Sequence, residues 1–255
     1  MKAIILSAGQ GKRLLPLTET RPKCLLPLGG LTLLEWQLRA LWANGFDDVT
    51  VVVGFAAESV EEMLHGLALP GMRVRALFNP FFSVADNIGS CYVALSEMTG
   101  DFLLVNGDTV FEPAVLARLL AQATAPVTVT IDRKAQYDAD DMKVCLDGGR
   151  RLRAIGKTLH LDSVDGESIG MLLFRGDGGA RFARSLQEVL REPDGPRRWY
   201  LSAIDRLAQA GDGVEVVSIE GLHWGEVDFP ADAERARRLV EGWLESGRFE
   251  RGRTP

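Results

Sequence analysis

Apolar residues arrive in short unbroken runs through the first half of the chain, and between the runs they recur at helical spacing. Lys2–Ser7 opens the pattern, and Val49–Val53, Arg73–Phe78 and Phe102–Val105 repeat it. Short apolar runs bounded by turn signals predict strands, and the lack of alternation in Val49–Val53 predicts one buried on both faces. Thr32-Leu-Leu-Glu35 has the spacing of a capping box, so a helix is predicted through Leu34, Leu38 and Leu41 to about Gly45. Glu58–Leu67, Asn87–Met98 and Pro113–Gln122 read as further helices, the last with proline in its first turn. Strands alternating with helices predict an α/β sheet, mostly parallel.

The rhythm changes after the strand Val127–Ile131. Lys143–Leu146 and Leu152–Ile155 flank Asp147-Gly148-Gly149, a hairpin signal, and Ile169–Phe174 is another strand. Ala180–Leu190 and Tyr200–Gln209 are helical, Val214–Ile219 is a strand, and a last helix runs from about Ala231 to Leu244. No linker rich in Pro, Gly or Ser and no internal repeat interrupts the chain, so it reads as one domain over residues 1–246 with a polar tail at 247–255.

At 255 residues, 46% hydrophobic and 25% charged, the chain can bury a substantial core. A formal net charge of -6 argues against nucleic acid as a partner. Cys24, Cys91 and Cys145 are widely separated and form no CxxC pair, which argues against a metal cluster or a disulfide framework. No apolar run is long enough for a membrane helix, and Met1-Lys2 precedes too short an apolar stretch for a signal peptide. No membrane partner and a cytoplasmic location are therefore expected, and self-association stays open.

One segment departs from the acidic average. Lys2–Ser7 delivers the chain into Ala8-Gly9-Gln10-Gly11, and Lys12, Arg13, Arg21 and Lys23 stand against Glu19 alone, a local charge of +3. A strand ending in a glycine turn points several backbone N–H groups at one place, and cations at both ends of the loop draw a polyphosphate there. Two familiar loops fail here. A dinucleotide fingerprint needs a third glycine where Leu14 stands, and a P-loop needs Ser or Thr where Arg13 stands. A plain turn with its cations in water is the remaining alternative. Further on, Phe102–Asp108 is a buried strand ending in a carboxylate, where an α/β sheet offers a ligand site and a nucleotide-bound Mg²⁺ wants an oxygen; a cap role is the alternative for Asp108.

Gly9-Gln-Gly11-Lys-Arg13 followed by Pro22-Lys23 resembles the signature of the sugar-nucleotidyltransferase superfamily. The resemblance implies a Rossmann-like α/β/α sandwich with a mixed, mostly parallel central sheet, GT-A-like. It implies that Arg13 holds the leaving phosphates and that Lys23 neutralises the α-phosphate as charge builds; fixed cations beside a phosphorus centre are what that chemistry needs. Asp108 fits the second motif. Trp224-Gly-Glu226-Val-Asp228-Phe-Pro230 is similar to the family's late acidic segment, which gives Asp228 the second Mg²⁺ position. Glu226 would support the metal or the acceptor, and Asp232 would cap the last helix. Asn79-Pro-Phe-Phe…Asp86-Asn87…Ser90 resembles the base-contacting segment of cytidylyltransferases, and its side chains suit a pyrimidine edge. Asp86 or Asn87 would also cap a helix. Ala8 and Gly9 would add backbone contacts to the base, with Gly11 and Lys12 along the triphosphate.

The later half carries Asp138-Ala-Asp-Asp141-Met-Lys143-Val, Ile155-Gly-Lys157 and Gly166-Glu167-Ser-Ile-Gly170. Together these resemble the subgroup that includes phosphocholine, inositol-phosphate and alkylphosphonate cytidylyltransferases. An anionic acceptor approaching a triphosphate needs cations of its own, for which Lys143 and Lys157 are the candidates, and Glu167 would read an ammonium or hydroxyl tail. The chain is thus expected to have a nucleotide-binding half at 1–125 and an acceptor-binding half at 126–230, and to act as a Mg²⁺-dependent transferase using CTP and a small phosphate- or phosphonate-bearing acceptor. A sugar-1-phosphate nucleotidyltransferase using UTP, dTTP or GTP, and a non-catalytic nucleotide sensor, are the alternatives.

Overall fold

In chain order the elements are β1 (Lys2–Ser7), β2 (Pro27–Leu28), β3 (Leu31–Thr32), α1 (Leu33–Ala43), β4 (Asp48–Val53), α2 (Ala57–Gly66), β5 (Arg73–Phe78), α3 (Asn87–Val93), β6 (Phe102–Asn106), β7 (Thr109–Phe111) and α4 (Pro113–Gln122). The later elements are β8 (Val127–Asp132), β9 (Lys143–Leu146), β10 (Leu152–Gly156), β11 (Gly166–Phe174), α5 (Gly178–Leu190), α6 (Leu201–Ala210), β12 (Val214–Ser218), β13 (Trp224–Glu226) and α7 (Pro230–Glu245). The computed structural model describes residues 1–249. Most of the polar tail, 250–255, lies outside them. The class is the predicted one, α/β with a mixed sheet, and no helix among the described residues is long and apolar enough to cross a membrane.

The residues gather into two compact units, neither of them a continuous stretch of chain. The first comprises Met1–Ser83, Val105–Ala117 and the described residues from Leu222 to Phe249. Here β1, β4 and β5 pair in parallel, with Lys2 opposite Asp48 and Asp48 opposite Arg73. The capping box forms as its spacing predicts: the Thr32 hydroxyl accepts from the Glu35 N–H at 3.2 Å, and the Glu35 carboxylate accepts from the Thr32 N–H at 2.8 Å. Trp36, Trp243 and Phe249 close the core around α1 and α7, with the Trp36 ring 6.1 Å from Trp243 and 4.7 Å from Phe249. Phe249 is buried although it stands in a stretch that reads as polar tail. β7 and β13 are antiparallel three-residue strands, with Trp224 opposite Phe111 and Glu226 opposite Thr109.

The second unit comprises Val84–Leu104 and Arg118–Gly221. β11 runs antiparallel to β8 and to β9, β10 runs antiparallel to β9, and β12 lies parallel to β8. Phe102, Phe174, Phe182 and Tyr200 form its aromatic core, with successive ring centroids 4.6, 5.0 and 6.2 Å apart. β11 begins at Gly166, earlier than the apolar run alone indicates, because Gly166 and Glu167 pair with Val144 and Lys143 of β9. Tertiary pairing overrides the weak strand propensity of Gly and Glu there. α3 stops at Val93 and gives way to a short 3₁₀ turn, Ala94–Glu97, inside the stretch that reads as one helix.

Candidate functional site

The glycine loop is pinned from within. Gly11 has φ +77, and a Cβ there would stand 3.0 Å from the Lys23 Cβ, so the loop and the Lys23 turn are fitted to a glycine. The Gly11 carbonyl accepts from the Leu14 N–H at 2.9 Å and from the buried Thr18 hydroxyl at 2.8 Å. Lys12 and Gly9 are exposed, whereas Ala8 is buried and its carbonyl accepts from the Phe55 N–H at 3.0 Å.

Four residues that are far apart in the chain meet beyond that loop. The Lys23 ammonium donates to Asp108 Oδ2 at 2.9 Å and to Asp228 Oδ1 at 2.7 Å. The Arg13 guanidinium donates to Asp228 Oδ2 at 2.6 Å and lies 4.9 Å from the centre of the Phe229 ring. Burial alone would lower the Lys23 pKa; the charges and hydrogen bonds of Asp108 and Asp228 outweigh it and hold the ammonium above the usual lysine range. Two backbone features set the carboxylates. Asp108 follows Gly107, whose added Cβ would fall 2.4 Å from the Leu6 carbonyl oxygen, so β1 and the β6–β7 turn touch through a glycine. Asp228 follows β13, and the Asp228 and Phe229 N–H groups donate to Asp232 Oδ2 at 3.0 and 2.7 Å, so Asp232 takes the predicted capping position at the start of α7.

Carboxylate oxygens of Asp108, Glu226 and Asp228 lie within 4.8 Å of one another. Asp108 Oδ1 is buried and has no hydrogen-bond partner among the described residues. An all-oxygen donor set with an unsatisfied buried oxygen fits a hard divalent cation. Glu226, one of the residues read toward the acceptor, thus stands with the two aspartates.

The remaining candidates belong to the second unit. Asp86 is the N-cap of α3 and accepts from the Asn87 N–H at 2.7 Å; burial pushes its carboxyl up. Asn87 Oδ1 accepts from the Tyr200 N–H at 2.9 Å, which ties α3 to the Trp199-Tyr200 segment, and Ser90 is buried on the same helix. Lys143 is buried, and its ammonium donates to the Lys157 carbonyl at 2.9 Å and to the Asp141 carbonyl at 3.4 Å. The Lys157 ammonium sits 4.7 Å over the Trp199 ring and 3.6 Å from Asp140 Oδ1.

Glu167 lies opposite Asp132 on β8 and opposite Lys143 on β9, and its Oε2 is 2.8 Å from the Lys134 ammonium. Lys134 also reaches Asp141 Oδ2 at 2.7 Å. Burial pushes the Glu167 carboxyl up to about 7, against the pull of Lys134 and with added repulsion from Asp141. Lys134 is the residue that sequence reasoning passed over. Its one signal was its place two residues after the strand Val127–Asp132, whose last residue lies opposite Glu167 in the structure.

Residues 3–218 match the family model of the MobA-like NTP transferase domain. A CMP-5'-(3-aminopropyl)phosphonate synthase from Streptomyces rubellomurinus is 32% identical over 243 residues, which is 92% of this chain and 38% of that protein. A bifunctional IPC transferase and DIPP synthase from Rubrobacter xylanophilus is 32% identical over 250 residues, 96% of this chain and 53% of that protein. The chain therefore spans about half or less of the length of these curated relatives. The inositol-1-phosphate CTP transferase from T. maritima has the same fold, with a TM-score of 0.77 at 21% identity over 94% of this chain and 96% of that one. A match over most of its length places the chain in the MobA-like NTP transferase domain family.

Proposed function

We propose that the chain is a cytidylyltransferase that moves a cytidylyl group from CTP to a small acceptor bearing a phosphate or phosphonate and releases pyrophosphate. The carrying observation is the meeting of Lys23 and Arg13 with Asp108 and Asp228, two cations suited to phosphate beside two carboxylates suited to a metal. The relatives named for a CMP-phosphonate and for an IPC transferase support cytidine and a phosphate-type acceptor.

In this reading the Gly9–Arg13 loop receives the triphosphate, with Lys12 alongside. Arg13 holds the β- and γ-phosphates, and Lys23 neutralises the equatorial oxygens of the α-phosphorus as charge builds. Asp108 and Asp228, supported by Glu226, would hold Mg²⁺, which when bound neutralises phosphate charge as a Lewis acid. Ala8, Gly9, Asp86, Asn87 and Ser90 contact the base. Lys143 and Lys157 serve the acceptor's anionic end, and Glu167 its tail. The acceptor oxygen is ionised at neutral pH, so no residue is needed as a general base, and the chain's task is orientation and charge neutralisation.

A pyrophosphate-release screen tests this. CTP, UTP, dTTP and GTP are each paired with phosphocholine, inositol phosphate, aminoethyl-, aminopropyl- and hydroxyethylphosphonate, and sugar 1-phosphates. Turnover with CTP and a phosphonate or phosphoalcohol is expected. Turnover confined to sugar 1-phosphates with another nucleotide overturns the reading, and CTP binding without turnover on any acceptor revives the sensor.

A further inference from the structure

Helix α1 presents an almost wholly apolar inner face: Leu33, Leu34, Trp36, Leu38 and Leu41 are buried to the last few per cent. Gln37 is buried among them at 1% exposure. A primary amide in such a place is strongly unfavourable unless its hydrogens find acceptors. Both do. Gln37 Nε2 donates to the Asn106 carbonyl at 2.7 Å and to the Thr109 carbonyl at 2.8 Å. These carbonyls stand on either side of Gly107-Asp108, one at the end of β6 and the other at the start of β7. One side chain therefore brackets the turn that presents Asp108. The amide orientation follows from the partners, since the opposite assignment would set Oε1 against two carbonyl oxygens.

The bracket acts on backbone and leaves the carboxylate to its own contacts. Gln37 Oε1 is buried without a partner among the described residues, as is Asp108 Oδ1. A buried acceptor left unsatisfied is unfavourable, so the gain lies in the two donated bonds. Two further bonds complete the fixation: the Gly107 N–H donates to the Leu6 carbonyl at 2.9 Å, and the Val227 N–H donates to the Asp108 carbonyl at 3.0 Å. Leu6 of β1 and Val227, just after β13, act through main chain. The two bonds from α1 come from a side chain and can be removed by substitution.

We infer that Gln37 is a positioning residue, which fixes the Asn106–Thr109 turn so that the Asp108 carboxylate faces Asp228 as a metal ligand. The inference rests on the proposed metal role of Asp108. Groups that orient a metal ligand from behind typically change metal affinity by about 10- to 100-fold when removed.

Gln37→Met keeps the volume and removes both donors. Gln37→Glu keeps the shape and replaces donors with acceptor oxygens facing carbonyls. Mn²⁺ is titrated into each nucleotide-free protein and followed by electron paramagnetic resonance, with Asp108→Asn in parallel and circular dichroism to confirm the fold. Mn²⁺ binding weakened about 10-fold or more in a folded Gln37 variant is the expected result, accompanied by an equal rise in the Mg²⁺ needed for half-maximal pyrophosphate release. If Gln37→Met does not fold, Gln37→Glu carries the test. Weakened binding in Asp108→Asn with unchanged Mn²⁺ affinity in the folded Gln37 variant means a purely structural glutamine and overturns the inference alone. Unchanged affinity in Asp108→Asn overturns the metal reading and the inference with it.

Discussion

Replacing Lys23 by Met keeps the aliphatic stem and deletes the charge that holds Asp108 and Asp228 together. The Lys23 side chain is 16% exposed, and the two carboxylates are 20% and 17% exposed. Breaking a buried pair by removing one partner costs about 3–5 kcal/mol. Partial exposure, and the Arg13 contact that stays on Asp228, put this case at the lower end, about 3 kcal/mol. For a chain of this size that is a fall in Tm of about 6–12 °C. The loss should be reversible in a specific way. Two carboxylates without their ammonium form a better cation site than the parent has, where a metal must first displace Lys23. A divalent cation at about 100 times its Kd returns about 2.7 kcal/mol, nearly all that was lost. Calorimetry of Lys23→Met and parent with and without MgCl₂, against NaCl at matched ionic strength, reads both effects. The variant's Tm should rise with Mg²⁺ by several degrees more than the parent's, while pyrophosphate release falls by about 10²–10³. A variant with the parent's Tm, or with no larger response to Mg²⁺, refutes the reasoning.

Gly107→Ala forces a Cβ to within 2.4 Å of the Leu6 carbonyl oxygen and 2.5 Å of Ser7 Oγ. It should destabilise the chain by about 1–3 kcal/mol in urea denaturation, and an unchanged midpoint would show that β1 and the turn part easily. Glu167→Gln should alter the pH dependence of stability. Burial lifts the folded-state carboxyl from 4.5 to about 7, so the folded chain keeps a proton that the unfolded chain releases. The associated stability is full below pH 4.5, declines as pH rises and levels off above 7. The difference in unfolding free energy between parent and variant should therefore change by about 3 kcal/mol between pH 4.5 and 8, and parallel curves would contradict it.

The α/β alternation was legible because periodicity is a local property, and so was the helix start at Thr32, where donor and acceptor are three residues apart. The two cations that meet the aspartates, Arg13 and Lys23, were legible too, as part of a +3 segment in an acidic chain. What the sequence could not carry was proximity. Asp108 and Asp228 are brought together by a pairing of two three-residue strands, too short for any periodic signal, and neither strand is stable without the other. Lys134 was hidden for another reason. A lysine beside an acidic loop looks like a solvated charge until the β8–β11 register places Glu167 opposite Asp132. Gln37 was visible only as one polar position in an apolar stripe, and Phe249 as one aromatic in a charged tail.

The contacts of Arg13 and Lys23 bear on how the proposed ligands enter. Both cations rest on Asp228, and Lys23 also rests on Asp108, so each aspartate has a cation partner, with Glu226 beside them. A triphosphate that takes over Arg13 and Lys23 leaves Asp108 and Asp228 as adjoining carboxylates, a repulsive arrangement that a divalent cation relieves. A metal arriving first must instead displace the ammonium of Lys23. The two ligands therefore favour each other, and the reciprocity of linkage requires the same factor in both directions. In the proposed function the opening loop and the distant aspartates thus act as a single unit, whose side chains would exchange partners as the nucleotide binds.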